Sequence, residues 1–259
     1  MGYILASTMQ KGGVGKTTTT LSVGVALADR GARVLLIDLD PQANLTQGLG
    51  LDPDALQFSI YEVLLNPERG ADFAIVPNAG GLNTAGHLDL IPSTLALAGA
   101  EMELAGKVGR ELLLRKALVD VRARYDYILI DPPPSLGLFT LNALAAADAA
   151  LVPFQLHAYS FRALPQLEAT IALVRDLNPP LHVGGVVCTL ATRTKLADAI
   201  ERKVRDRYGD LVFNTVIPTN ISLAEAPLAG LPIARYAPTS TGASAYTALA
   251  AEVGVRYAV

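Results

Sequence analysis

Gln10-Lys11-Gly12-Gly13-Val14-Gly15-Lys16-Thr17-Thr18 stands directly between an apolar run, Tyr3 to Thr8, and a helix-like stretch, Lys16 to Asp29. A strand, a glycine-rich turn and a helix in that order make a phosphate cradle. The three glycines let successive backbone N–H groups turn inward around phosphate oxygens, and the helix adds its positive N-terminal end. Lys16 is then placed to neutralise β and γ phosphates, and the Thr17 hydroxyl to ligate Mg²⁺. The strict pattern G-x-x-x-x-G-K-[ST] asks for Gly at position 10, where this chain has Gln. What stands is a deviant form, K-G-G-x-G-K-[ST]. Its additional cation, Lys11, opens a loop whose phosphates are already served by Lys16 and backbone donors. A second ammonium there can reach a phosphate from outside the loop, including one held by another subunit.

Outward from this loop, the hydrophobic period alternates between short β-branched runs and longer amphipathic ones. The strands expected are Tyr3 to Thr8, Arg33 to Asp38, Asp89 to Pro92, Asp126 to Asp131, Ala149 to Pro153, His182 to Thr189 and Val212 to Ile217. Most are apolar throughout, as strands covered on both faces must be. The helices expected are Lys16 to Asp29, Gly109 to Arg124, Leu138 to Ala146, Phe161 to Leu177, Lys195 to Tyr208 and Ser240 to Val253. The pattern predicts an α/β fold: a doubly wound, mostly parallel sheet flanked by helices, of P-loop NTPase type, with right-handed crossovers. No repeat or linker interrupts it, so residues 1–259 are expected to form one ATPase domain. The ligand site belongs at the carboxyl ends of the strands.

Two strand tips carry acids. One run ends Leu36-Ile37-Asp38-Leu39-Asp40-Pro41-Gln42 and another ends Ile128-Leu129-Ile130-Asp131-Pro132-Pro133-Pro134-Ser135. An Asp closing an apolar strand is the Walker-B pattern, in which the carboxylate holds Mg²⁺ through its water shell. Asp131 fits that role. Asp38 and Asp40 are expected to project to opposite sides of their strand end, with Asp40 orienting the attacking water. Asp38 is assigned to the metal shell or to support of the phosphate loop.

Composition bounds the rest. The chain has 259 residues, 51% hydrophobic and 17% charged, which excludes a disordered scaffold and suffices for a large core. Apolar stretches such as Leu141 to Phe154 are broken by polar residues or Pro, short of a membrane span. The opening Gly2-Tyr3-Ile4-Leu5-Ala6 lacks the pattern of a secretory signal, and Cys188 is the only cysteine, so a cytoplasmic chain without disulfides is expected. The net charge is −3. No global field draws this chain to nucleic acid, and any DNA binding must be local.

With these segments in hand, the chain resembles the ParA/Soj family of deviant Walker ATPases, which segregate chromosomes and plasmids. The likeness runs nearly end to end. It takes in Asp38-Leu39-Asp40-Pro41-Gln42-Ala43-Asn44-Leu45-Thr46, Leu88-Asp89-Leu90-Ile91-Pro92-Ser93, Asp131-Pro132-Pro133-Pro134-Ser135-Leu136-Gly137, Val216-Ile217-Pro218-Thr219-Asn220, Ser222-Leu223-Ala224-Glu225-Ala226-Pro227 and Gly242-Ala243-Ser244-Ala245-Tyr246. The resemblance implies an ATP-sandwiched homodimer in which Lys11 reaches the partner's phosphates. It implies ATP and Mg²⁺ as cofactors, nucleotide contacts from Gly12, Gly13, Val14, Gly15, Lys16, Thr17 and Thr18, and a switch aspartate at Asp40. Pro218 and Asn220 match residues near the adenine. The chain is similar to the short, chromosomal type that lacks an N-terminal helix-turn-helix. That type, as a nucleoid-associated dimer, binds DNA without sequence preference and releases it when a ParB-type protein stimulates hydrolysis.

Residues Arg193 to Arg207 hold six basic residues against three acidic ones, so a −3 chain contains a +3 segment and a −6 remainder. A helical wheel puts Leu196, Ile200, Val204 and Tyr208 on one side and turns most of the basic residues outward. Arg193, Lys195, Arg202, Lys203 and Arg205 are the expected DNA contacts, Arg193 also because relatives carry a DNA-contacting arginine there. Thr219 stands where many relatives carry another such arginine. His157 and Arg162 stand where relatives usually carry acids, and His157 is expected to be a surface or dimer-contact residue. His87 and His182 have no neighbours at metal-ligand spacing. Three other readings keep the fold. A ParA-like carrier of protein clusters is one. A MinD-like membrane ATPase would need a basic terminal helix, whereas Ala243 to Val259 holds only Arg256 as a basic residue. A small-molecule P-loop ligase would not require Lys11. An iron-protein relative needs two cluster cysteines per subunit, and this chain has one cysteine.

Overall fold

The computed structural model describes residues 2–258. Seven strands form one sheet: β1 (Tyr3–Ser7), β2 (Arg33–Asp38), β3 (His87–Ile91), β4 (Tyr127–Asp131), β5 (Ala149–Gln155), β6 (His182–Ala191) and β7 (Val212–Pro218). Their order is β3-β2-β4-β1-β5-β6-β7, and every pairing is parallel. All seven expected strands are present, with ends displaced by a residue or two. The chain leaves β1 toward β2 on one side and later builds β5 to β7 on the other. A cleft therefore opens above the carboxyl end of β1, where the phosphate loop begins.

Successive strand residues feed opposite cores, which is why these strands are apolar throughout. Ile4, Ile37, Ile128, Ile130, Val152 and Val186 pack into one core; Leu5, Leu36, Leu129, Leu151, Val187 and Phe213 pack into the other. The helices α1 (Lys16–Asp29) and α7 (Thr241–Arg256) cover the second face. On the first face lie α2 (Ile60–Leu65), α3 (Leu97–Leu104), α4 (Leu138–Ala146), α5 (Leu164–Val174) and α6 (Lys195–Tyr208). Leu97–Leu104 was not expected as a helix. From Asp40 to Gly86 the chain makes only short helical turns, of which α2 is fixed by a capping box between Ser59 and Glu62.

Two expected helices depart from their sequence pattern. The stretch Gly109 to Arg124 is not continuous: a 3-10 turn, Arg110–Leu112, gives way to a short helix, Leu113–Ala117. The cause is Asn142, which is fully buried on α4. Its Oδ1 accepts from Leu114 N at 3.0 Å and its Nδ2 donates to the Arg110 carbonyl at 2.8 Å. Those two backbone groups would have bonded each other in an α-helix, so the side-chain amide has been inserted into the ladder. In the stretch Phe161 to Leu177, the α-helix begins only at Leu164 after a 3-10 run, Ala158–Ala163, and ends at Val174. Pro165 sits in its first turn, where a missing N–H costs nothing.

Replacing Asn142 by Leu leaves both backbone groups without partners in the core. We expect a loss of about 2–4 kcal/mol in unfolding free energy, read by urea denaturation.

Candidate nucleotide site

The phosphate loop connects β1 to α1 with Gly13 at φ 71° and Gly15 at φ 86°, both left-handed, a region that residues with a Cβ avoid. Gly15 is the N-cap of α1, and Lys16 is its first residue. Gly12, Gly13, Gly15, Lys16, Thr17 and Thr18 line one end of a cavity of about 460 Å³. Val14 does not; it is buried beneath the loop and accepts, through its carbonyl, a 2.8 Å hydrogen bond from Thr189 Oγ1 at the end of β6. The tip of the loop is thus pinned from below by a strand that sequence reasoning did not connect with it.

The acids take distinct places. Asp40 lines the cavity and its Oδ1 accepts from Gln42 N. Asp131 lies behind the cavity wall, 1% exposed, bonded to Thr20 and to Thr17. Asp38 is fully buried, and both its oxygens are committed elsewhere: Oδ1 to Asp40 N, Oδ2 to the backbone and hydroxyl of Thr46. Its bonds brace the loop Asp40–Thr46, neither ligand shell nor phosphate loop. The opposite-sides expectation also fails, because residues two apart on a strand share a face. Asp38 and Asp40 differ because β2 stops at Asp38, leaving Asp40 in the following loop.

Burial sets the electrostatics. It raises Asp38 to about 7, with the neighbouring Asp131 adding to the effect and the Thr46 bonds opposing it. It raises Asp131 to about 6, against the Thr17 bond and the Lys16 charge. Burial also lowers the Lys16 pKa, with Asp131 and Asp40 acting in the other direction. The donor set suits a hard divalent cation: a threonine hydroxyl at the cavity wall with a carboxylate just behind it, and oxygen ligands only. No cluster of three or more His, Cys, Asp or Glu exists among the described residues, so an all-protein metal cage is absent there.

The far end of the cavity is apolar. Leu190, Ile217, Leu223, Pro227, Leu231 and Ile233 line it, and Lys16 and Asp40 are the only charged residues around the whole cavity among those described. Leu190 holds a left-handed φ of 52°, where β6 and β7 slip in register, and so enters the wall at the cost of backbone strain. Asn220 also lines this end, but its amide is engaged, Oδ1 capping Ser222 N and Nδ2 donating to Thr241 Oγ1. Pro218 ends β7 and lies outside the lining. Tyr246 joins α7 to α1 through Thr19 Oγ1 at 3.1 Å. A polar, cationic lining joined to an apolar one is complementary to a phosphate chain and a nucleobase.

Among known proteins, the AAA domain family matches residues 2–183. Sporulation initiation inhibitor protein Soj of Bacillus subtilis (strain 168) is 46% identical over 98% of both chains. The chain belongs to the ParA/Soj family of ATPases. Chromosome partitioning protein ParA of Myxococcus xanthus is 43% identical over 98% of this chain and 88% of its own. A crystal structure described as cobyrinic acid a,c-diamide synthase from Mycobacterium smegmatis, with bound ATP analog and magnesium, superposes with a TM-score of 0.82. It is 39% identical and covers 98% of this chain and 94% of its own.

In this ParA/Soj chain, Lys11 points elsewhere: it is absent from the cavity lining, and its Nζ donates to Gln155 and Ser160. The basic helix is also less open than its composition implied. Arg205 is tied to Glu201 Oε1 and to the Phe213 carbonyl, and Arg207 to Glu168. Arg193, Lys195, Arg202 and Lys203 are exposed and make no ion pair among the described residues. Leu196, expected on the buried side of α6, is 61% exposed, because Ala197, Ile200 and Val204 form the packed stripe.

The raised carboxyls give a pH prediction. A folded pKa above the unfolded one contributes stability that is complete below about pH 4 and is lost as pH rises through the folded value. For Asp38 the window closes near 7 and for Asp131 near 6. Thermal unfolding of the nucleotide-free chain should therefore fall in Tm from pH 5 to pH 8, and Asp38→Asn should flatten that fall. An unchanged slope in the variant would count against the assignment.

Proposed function

We propose that this chain is an ATP-dependent dimerising ATPase switch that binds DNA nonspecifically and drives chromosome or plasmid segregation with a ParB-type partner. The observation that carries the reading is Lys11, a second lysine in the phosphate loop that the chain's own cavity does not use. In the active assembly Gly12 to Thr18 hold the phosphates through backbone N–H groups, with Lys16 neutralising charge. Thr17 and the buried Asp131 would hold Mg²⁺, which would supply neutralisation of phosphate charge. Asp40, at the cavity wall beside the phosphate loop, orients the attacking water, and Lys11 stabilises charge on the partner's nucleotide.

The relatives named Soj and ParA support this reading, and the neighbour carrying an ATP analog and magnesium supports the cofactors. ATP favours the dimer because its γ phosphate offers Lys11 a contact that ADP lacks. The DNA surface is the exposed part of the basic segment: Arg193, Lys195, Arg202 and Lys203, with Arg205 serving α6 itself. Pairing doubles this patch and makes DNA binding depend on ATP. No helix among the described residues is long and apolar enough to cross a membrane.

The similarity to a structure named as a synthase favours a second reading, a P-loop ligase acting on a small molecule. ATPase rates of the native and Lys11→Ala chains, with and without nonspecific DNA and a ParB-type peptide, separate the two. Stimulation by both additions that Lys11→Ala abolishes supports segregation; indifference to both favours the ligase. On the Asp40→Ala chain, sedimentation with ATP should show a dimer and with ADP a monomer.

The salt dependence of DNA binding reports the surface. Each lost phosphate contact lowers the log–log slope by about 0.9, felt twice in a dimer. Arg193→Ala and Lys195→Ala should each reduce the slope, whereas Arg205→Ala should leave it unchanged and lower the Tm.

A further inference from the structure

Lys11 is held at a definite place. Its Nζ donates to Gln155 Oε1 at 2.7 Å and to Ser160 Oγ at 3.2 Å. Gln155 is the last residue of β5, and Ser160 lies fully buried in the 3-10 run that follows. Gln10 is drawn to the same side, its Nε2 donating to Thr170 Oγ1 on α5 at 2.5 Å. The start of the phosphate loop is therefore fastened to the β5–α5 connection, away from the cavity.

The chemistry of this hold matters. Both acceptors are neutral oxygens, and Lys11 takes part in no ion pair among the described residues. Hydrogen bonds from a charged donor are among the stronger ones, yet a phosphate is a better acceptor for an ammonium than an amide or a hydroxyl. A carboxylate at either position would hold Lys11 more firmly. Two neutral acceptors hold it enough to define a resting position and weakly enough for a γ phosphate to displace it.

We propose that Gln155 and Ser160 are positioning residues that keep Lys11 withdrawn in the unpaired chain and so set the threshold for ATP-driven pairing. The inference rests on the pairing reading above. Contacts made only in the unpaired state stabilise that state, and closure has to break them. Departure of Lys11 also takes from the Ser160 hydroxyl, which has no solvent access, the amine it accepts from. Because both chains must release their lysines, the effect of one residue enters the dimer constant twice. The γ phosphate offsets this cost and ADP does not, which sharpens the difference between the two nucleotides.

Sedimentation of the full-length chain in the Asp40→Ala background, with ATP and with ADP, tests the idea. Ser160→Ala and Gln155→Met should each tighten ATP-dependent pairing by roughly a hundredfold, about tenfold for the hydrogen bond to a charged group in each of the two chains. The ADP form should remain monomeric. Affinity of the dilute, unpaired chain for a fluorescent ADP should change by less than about twofold, since neither side chain lines the cavity. Gln155→Glu, which puts a carboxylate on Lys11, should instead weaken ATP-dependent pairing, an opposition in sign between two substitutions at one position that a merely structural role would not produce. Gln155 is only partly buried, so its variant keeps the test open if Ser160→Ala folds poorly. Pairing that is unchanged or weakened by both Ser160→Ala and Gln155→Met would overturn the proposal. Absence of pairing in the Asp40→Ala chain itself would overturn the pairing reading, and this one with it.

Discussion

The constraint on which the rest depends is the shape of the phosphate loop. Beyond Thr8, whose N–H still bonds the Leu151 carbonyl, the backbone leaves the sheet and reaches Lys16 through left-handed turns that Gly13 and Gly15 make accessible. Such a loop has no ladder to stabilise it, so its neighbours must. Thr189 pins the Val14 carbonyl from β6, Thr170 holds Gln10 from α5, and Gln155 with Ser160 holds Lys11. Strand order explains why these residues are at hand: β1 lies centrally, with β5 and β6 on the flank from which these bonds come.

The other flank supplies charge. β2 and β4 are adjacent, with Asp38 opposite Asp131 in register, so parallel pairing brings two carboxyls together at the strand tips. Neither can be solvated, and burial raises both. The arrangement is tolerable because the carboxyls find different partners: Asp38 is satisfied by Thr46 and the Asp40 backbone, and Asp131 by Thr17, Thr20 and the Lys16 charge. One acid therefore braces the loop carrying Asp40, while the other stands behind the hydroxyl suited to a metal. Two residues of similar appearance in the sequence are divided by the partners they find.

The basic segment illustrates how composition overstates a surface. Six cations in Arg193 to Arg207 read as a single patch, but Arg205 and Arg207 bond Glu201 and Glu168. Guanidinium groups find planar partners wherever a carboxylate is near. The remaining cations divide between Arg193 and Lys195 at the start of α6 and Arg202 and Lys203 about two turns along it, roughly 10 Å away at 1.5 Å per residue. A narrower and more extended surface results than the net charge suggested.

What the amino-acid sequence determined by itself is whatever depends on local pattern. Apolar runs of four to eight residues, a glycine loop of fixed spacing and acids at strand tips specified the seven strands, a mostly parallel sheet and the polar end of the cavity, and the structure makes every pairing parallel. The apolar end was only partly legible: the segments around Leu223 and Tyr246 resembled family relatives, but nothing local showed that they would close over a phosphate loop some 200 residues earlier. Tertiary structure alone decided the remainder. It broke the helix after Gly109 by inserting the Asn142 amide, turned Asp38 away from the cavity, and drew Lys11 onto Gln155 and Ser160. The first and last of these are hydrogen bonds between residues far apart in the chain, and the second joins Asp38 to Thr46, eight residues along the chain. A side chain's periodicity states which face it occupies, and only the fold states which donor or acceptor waits on that face.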